Sequence, residues 1–202
     1  LYLSIGGQLA AVICISDPLR EEAKSVLAAL RTLGITNLIM LTGDSHRAAS
    51  TIAAQVGVDE FRSEVLPADK ADFIAHLRKS GHTVLMVGDG INDSPALSEA
   101  DAGIAISDGA AIAREIADIT IAADSLWELV ELRRISLELM TRIHSNYRFV
   151  IGFNGTLIAL GMAGIISPAT SAMLHNLSTL AVSLRSMSSL PKNKKPVLLI
   201  PG

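Results

Sequence analysis

The stretch "MVGDGINDSPALSEADAGIAI", residues 86–106, decides the fold. An apolar run, Val84–Val87, enters a turn that carries two carboxylates, Asp89 and Asp93, among glycines. A short apolar run bounded by turn formers reads as a strand covered on both faces. The chain therefore delivers a pair of acids to the loop at the carboxyl end of a buried strand. Ser94–Glu99 reads as a short helix behind that loop, and Ala102–Ile106 as the next strand.

Outward from this point, strands and helices alternate up to about residue 125. Leu9–Ile15 is a predicted strand, followed by a helix from Asp17-Pro18 to about Leu33. Leu38–Leu41 is a strand ending in Thr42-Gly43-Asp44, and His46–Val56 a helix closed by Gly57. Lys70–Ser80 is a helix closed by Gly81, Thr83–Val87 the strand feeding the acidic loop, and Ile119–Ile121 a last strand. Such alternation predicts an α/β fold with a doubly wound parallel sheet. Ligands bind such sheets at the carboxyl ends of the strands, where both Thr42-Gly43-Asp44 and Gly88–Asp93 fall. From Leu126 onward, Leu129, Leu132, Ile135, Leu139 and Ile143 recur at helical spacing with charges between them, which predicts an amphipathic helix.

A formal charge of −3 argues against nucleic acid as a partner. The single cysteine, Cys14, excludes a disulfide framework and a paired-cysteine metal site, and reads as core. No signal peptide precedes the first strand. The chain opens on Leu1 inside what reads as a strand, so a piece of a longer protein is expected. The composition also breaks sharply. Phe149–Leu184 contains no Asp, Glu, Lys or Arg, and His175 is its one titratable side chain. Ser167-Pro168 divides it into two stretches, each near the ~20 residues that cross a bilayer. Arg142 and Arg148 precede the first; Arg185, Lys192, Lys194 and Lys195 follow the second. Two positive feet predict a two-helix transmembrane hairpin in a lipid bilayer, with both ends cytoplasmic. The other reading is a buried helical pair of a soluble domain.

The acids suggest phosphoryl chemistry. Mg²⁺ takes hard oxygen ligands, commonly one or two carboxylates plus phosphate oxygens. Asp89 and Asp93 could supply the carboxylates, while Gly88 and Gly90 admit the backbone closely. Asn92 offers a neutral donor to a phosphoryl oxygen; Thr42 with the Gly43 amide offers others. Lys70, expected at the start of its helix, adds a point charge. Singly, these are an ordinary turn and a surface lysine. Together they form a phosphoryl cradle without a nucleophile.

"LTGD" (41–44), "LPADK" (66–70) and the opening stretch resemble the second, third and fourth motifs of the phosphorylation domain of P-type cation ATPases, in the haloacid dehalogenase-like (HAD-like) superfamily. "SDPLREEA" (16–23) resembles the hinge through which the chain re-enters that domain from the nucleotide-binding domain. The likeness covers about residues 9–124, and the aliphatic hairpin is similar to the last two transmembrane helices of the heavy-metal branch. It implies a HAD-like part over 1–124, a connecting helix over 125–148, the membrane hairpin over 149–190 and a basic cytoplasmic tail over 191–202. It also implies Mg²⁺ and ATP as cofactors and a multi-pass place in a membrane, a bacterial plasma membrane being expected. Asp89 would bind the catalytic Mg²⁺, with Asp93 in the same site holding the loop. Lys70 and Thr42 would contact an aspartyl-phosphate, Asn92 would brace it, and Asp44 would close the motif. Asp17 and Arg20 would belong to the hinge, Arg20 toward the nucleotide; Asp17 serves equally well as a helix N-cap.

The family's nucleophile, the aspartate of a DKTGT motif, does not occur in this sequence. Nor do most of the nucleotide-binding domain, the actuator domain and six upstream membrane helices. The chain is therefore expected to be the C-terminal third of a pump, inactive without the N-terminal part of the same pump. The competing reading is a free-standing, membrane-anchored HAD-like binding or regulatory module without catalysis. A small soluble phosphatase fits neither the missing nucleophile nor the hairpin. An in-frame DKTGT motif upstream of Leu1 would separate pump from module.

For the transported ion, "MLHNLST" (173–179) places His175, Ser178 and Thr179 on one helical face, and "GFNGT" (152–156) carries Asn154. Imidazole suits Zn²⁺, Co²⁺, Ni²⁺ or Fe²⁺. The segment resembles the HEGGT and HDGST types of divalent-metal pumps more than the Met-Ser-Ser type of copper pumps. Asn176 stands where those divalent pumps place a carboxylate, and the first helix lacks a Lys. That departure counts against zinc and leaves cobalt, nickel, iron and manganese. A divalent transition-metal ion is expected, with copper(I) through Met162 and Met173 as the alternative. Simple interhelical hydrogen bonding by Asn154, His175 and Ser178 remains the plain reading.

Overall fold

Gly6 and Gly7, with φ of 61° and 80°, make the first turn. Both left-handed positions suit a two-residue hairpin loop. It joins β1 (Tyr2–Ile5) to β2 (Gln8–Val12), antiparallel and exposed along both strands. The computed structural model describes residues 2–12, 19–89, 92–106, 115–121 and 125–188. Cys14, Asp17, Gly90 and the lysines of the tail lie outside them. The chain divides into two units, Leu1–Glu128 and Leu129–Gly202.

In the first unit α1 (Ala23–Thr32) begins at Ala23 rather than beside Asp17-Pro18, and Glu22 stands at its N-cap. Its buried face, Ala23, Val26 and Ala29, packs toward α2 (His46–Val56). The Glu22 carboxylate also accepts the Leu126 N–H at 2.6 Å and the Ser125 hydroxyl at 3.4 Å, joining residues far apart in sequence. β3 (Ile39–Leu41) and β4 (Glu60–Arg62) pair in parallel, with α2 as their crossover. β5 (Leu85–Gly88), β6 (Ala102–Ile106) and β7 (Ile119–Ile121) form a second parallel sheet in that order. The expected α/β architecture with parallel strands is present. Among the described residues, however, it consists of two parallel sheets and a hairpin, not one continuous sheet.

α3 (Pro67–Lys79) starts three positions earlier than expected, because Pro67 occupies the first turn, where a missing N–H costs nothing. It packs on α4 (Ser94–Glu99), and Ile74, Ala96 and Leu97 are buried. At its far end Arg78 donates to the Glu99 carbonyl at 2.6 Å and the Asp101 carboxylate at 3.0 Å. Asp101 in turn accepts the Val84 N–H at 2.8 Å, just before β5. The position of α3 is thus tied to the strand that carries the acidic loop.

The second unit is helical. α5 (Trp127–Met162), which starts just before the unit boundary, runs unbroken from the amphipathic segment into the charge-free one. α6 (Pro168–Met187) returns antiparallel, capped by Ser167, whose Oγ accepts the Thr170 N–H at 3.1 Å. The expected transmembrane hairpin is not supported: among the described residues no helix is long and apolar enough to cross a membrane. The charge-free run does not amount to two long apolar helices. Its first helical part, from Phe149 to the helix end at Met162, is about 21 Å long at ~1.5 Å per residue, against a hydrocarbon core of ~30 Å. α6 dilutes its aliphatic residues with Ser171, His175, Asn176, Ser178 and Thr179.

Candidate functional site

β5 ends at Gly88, and Asp89 follows it exposed to solvent. The loop then turns back, so that Asp93 precedes α4 and its carbonyl accepts the Leu97 N–H at 2.8 Å. A Cβ built on Gly88 would stand 2.6 Å from Asp93 Oδ2 and 2.8 Å from its Cβ. Only glycine leaves room for the Asp93 carboxylate beneath the strand end.

That carboxylate receives Lys70. The Nζ···Oδ1 distance is 2.6 Å, with both side chains mostly buried, at 13% and 15% exposure. Local sequence explains the approach. Asp69 accepts the Leu66 N–H at 3.3 Å and fixes the first turn of α3, where the Lys70 N–H bonds the Leu66 carbonyl at 3.1 Å. Lys70 thus projects from a pinned helix start. A charge-assisted contact of this length, largely withdrawn from water, is stronger than an exposed ion pair.

Thr42 continues β3: its N–H donates to the Arg62 carbonyl at 3.0 Å and its carbonyl accepts the Val65 N–H at 3.1 Å. Its hydroxyl donates to Asp44 Oδ2 at 2.8 Å and accepts the Asp44 N–H at 3.1 Å. Gly43 is exposed, and a Cβ there would meet only the Val65 carbonyl oxygen at 3.8 Å, an ordinary contact. Space does not demand glycine at 43. The structure therefore assembles the candidate residues in two pairs, Lys70 with Asp93 and Thr42 with Asp44. Asp89 and Asn92 are exposed on the loop between, and Arg20 is exposed ahead of α1. Asp17 lies outside the described residues.

Among the described residues no group of three or more His, Cys, Asp or Glu side chains could hold a metal ion. Asp89 and Asp93 do not form a protein-only cage. Two carboxylates at a strand end still match Mg²⁺ shared with phosphate oxygens, its usual mode.

The sequence reading missed the Arg78–Asp101 link and a hollow of about 420 Å³ lined by His46, Phe61, Arg62, Glu64, Asp69 and Phe73, among others. In it the Arg62 guanidinium lies 4.5 Å from the centre of the Phe73 ring. None of the phosphoryl-site candidates lines this hollow. The signal that could have found it is Phe61 within an otherwise charged strand.

In the second unit His175 Nδ1 and Asn154 Oδ1 lie 2.9 Å apart. An amide oxygen only accepts, so in this contact the Nδ1–H donates to Asn154. Ser178 is buried, and its hydroxyl donates to the His175 carbonyl at 2.7 Å; the Thr179 hydroxyl does the same at 3.1 Å. Both hydroxyl protons serve the helix backbone. Their oxygens remain available as acceptors.

Residues 2–101 match the haloacid dehalogenase-like hydrolase family. Over 187 residues the chain is 41% identical to a zinc-exporting P-type ATPase of Mycobacterium marinum, covering 92% of this chain and 26% of that protein. It is 42% identical over 174 residues to a copper-transporting ATPase of Arabidopsis thaliana, covering 86% of this chain and 17% of the relative. Among solved structures it resembles a zinc-transporting PIB-type ATPase in the E2.Pi state, with a TM-score of 0.71 at 32% identity, over 84% of this chain and 28% of that one. The chain thus spans about a quarter or less of the curated relatives it matches. Near-equal identity to zinc and copper relatives does not select an ion.

Proposed function

We propose that this chain, whose residues 2–101 match the haloacid dehalogenase-like hydrolase family, is the C-terminal part of an ATP-driven heavy-metal pump of the P-type class. The observation that carries the reading is the 2.6 Å contact of Lys70 with Asp93 at the end of β5. It brings two separate motifs to one strand end, where a phosphoryl group can be held. Lys70 has three donors and spends one on Asp93, leaving donors for phosphoryl oxygens. Asp89 and Asp93 would hold Mg²⁺, which supplies neutralisation of the phosphoryl charge when bound. Asp93 also aims Lys70. Asn92 braces the phosphoryl group from the same loop. Thr42 reaches it by turning its hydroxyl from Asp44, with the exposed Gly43 amide beside it. Arg20 and Asp17 form the hinge toward the nucleotide. ATP is the phosphoryl donor, and the aspartate it modifies lies in the part of the pump that precedes this chain. The β5 edge is consistent with such a neighbour: among the described residues β5 pairs only with β6, and Leu85 and Val87 are exposed.

In this reading α5 and α6 complete a membrane domain whose other helices precede the chain, with the catalytic unit and the C-terminus in the cytoplasm. His175 offers Nε2 to a divalent transition-metal ion, Asn154 holds the ring through Nδ1, and Ser178 and Thr179 offer oxygens. An imidazole ligand oriented through its other nitrogen is the usual arrangement.

The test is the intact pump, assayed for ATPase activity and for acid-stable phosphoenzyme with Zn²⁺, Co²⁺, Ni²⁺, Mn²⁺, Fe²⁺ and Cu(I). Divalent stimulation that His175→Ala abolishes is expected. This chain alone takes no label, since covalent catalysis needs its nucleophile. Stimulation by Cu(I) alone would overturn the ion; labelling of the isolated chain would overturn the division of labour.

A further inference from the structure

A second polar cluster crosses α5 and α6 near their open end, away from Asn154 and His175. Arg142 donates to the Ser188 carbonyl, Arg185 to Ser145 Oγ at 3.4 Å, and Asn146 Nδ2 to Ser186 Oγ at 2.9 Å. The Ser186 hydroxyl proton goes to the Val182 carbonyl at 2.8 Å, which fixes the direction of the Asn146 amide. Asn146 Oδ1 is left as a buried acceptor without a partner. Each arginine thus makes at least one contact across the pair with a neutral acceptor.

The sequence supplies this end with charge of one sign. Glu138, one turn before Arg142, is the last acid in the chain; Arg142, His144, Arg148 and Arg185 follow it. Tyr147 stands exposed at the same level, and so do Phe149 and Leu184 at the start of the apolar surface. A basic rim with an amphipathic ring, set directly against aliphatic surface, fits a partner that is anionic at one end and apolar at the other. Guanidinium groups match phosphate oxygens in a fork geometry. Tyr and Arg concentrate where a membrane meets water, and basic pockets between helices take anionic lipid head groups.

We propose that this end of the helical pair binds the phosphodiester head group of an anionic phospholipid, gripped by Arg142 from α5 and Arg185 from α6. The proposal rests on the membrane part of the function proposed above and adds to it a lipid class and a site. Because the two arginines come from different helices, the head group bridges α5 to α6.

The full 202-residue chain is floated with phosphatidylcholine vesicles and with vesicles of phosphatidylcholine plus phosphatidylglycerol, at fixed ionic strength. Wild type partitions more strongly onto the anionic vesicles. The double variant R142Q/R185Q weakens that preference about thirtyfold, the equivalent of about 2 kcal/mol, and R142K/R185K retains most of it. Should the glutamine variant lose helicity by circular dichroism, the lysine variant and a salt series carry the test, because head-group attraction fades with salt and apolar anchoring does not. Equal binding to both vesicle types overturns the proposal while leaving the membrane reading in place. Flotation with neither vesicle overturns that reading and the proposal with it. Displacement by inorganic phosphate at constant ionic strength reassigns the arginines to a soluble anion and also overturns it.

Discussion

Residues up to Glu128 and residues from Leu129 onward differ in the balance of what they bury. In the first unit Val26, Ile74 and Leu97 are at most 2% exposed, and most ion pairs, Arg31–Asp59 and Arg78–Asp101 among them, sit at the surface. In the second, Ile158 and Leu184 are more than 60% exposed, while Asn154 meets His175, Asn146 meets Ser186 and Ser178 is buried. A chain folding against water hides its aliphatic side chains. Helices in apolar surroundings gain nothing from that, and associate through hydrogen bonds and close packing instead. The first unit has a buried aliphatic core, while the second leaves much of its aliphatic surface exposed.

The contrast can be broken most easily at the proposed phosphoryl site. Asp89→Asn in the intact pump is expected to lower turnover at least about a hundredfold, by weakening a site that balances phosphoryl charge. Near-normal ATPase activity in the variant would remove Asp89 from the role. Next in size are matched truncations. Ile74→Ala should cost the first unit roughly 2–5 kcal/mol, whereas Ile158→Ala should change detergent-solubilised stability by about 0.5 kcal/mol or less. Similar losses in urea titrations would erase the distinction between the units. The smallest effect is in acid. The Val84 N–H, and after it the Arg78 guanidinium, hold the Asp101 carboxyl below the usual carboxylate range. Its stabilisation is complete above the unfolded value of about 3.9 and is lost as pH falls through the lowered native value. Asp101→Asn should flatten that acid limb. An unchanged pH profile in the variant would dismiss the carboxylate.

Much of the first unit was legible because its signals are local. α2 runs from His46 to Val56 as expected, with Ser45 before it and Gly57 closing it. α4, β6 and β7 also fall where predicted. β4 escaped notice because Glu60-Phe61-Arg62 has a single apolar residue and is a strand through its pairing with β3. The start of α1 was placed too early, since Asp17-Pro18 looks like a helix entry and the helix begins only at Ala23. The motifs named the site residues, but the contact of Lys70 with Asp93 depends on α3 packing against α4 and could not be read from spacing. The hairpin misled for the converse reason. Absence of charge was visible from Phe149 to Leu184, yet the end of α5 at Met162 and the polar content of α6 decide whether a helix can cross a membrane.

One bracket in the first unit bears on how such a chain can change over generations. Arg31 reaches the Gly57 carbonyl at 2.9 Å and the Asp59 carboxylate at 2.9 Å, and Asp59 accepts the Leu38 N–H at 2.7 Å. All of this fastens the amino end of β3, while Thr42 and Asp44 occupy the carboxyl end. The strand spacing of ~3.3 Å per residue puts about 13 Å between Leu38 and Thr42. Substitutions that tighten or loosen the bracket act on the strand's anchorage without touching the loop of candidate residues. β3 thus sets its anchoring contacts and the candidate site residues at opposite ends, so that a change at one end need not displace the other.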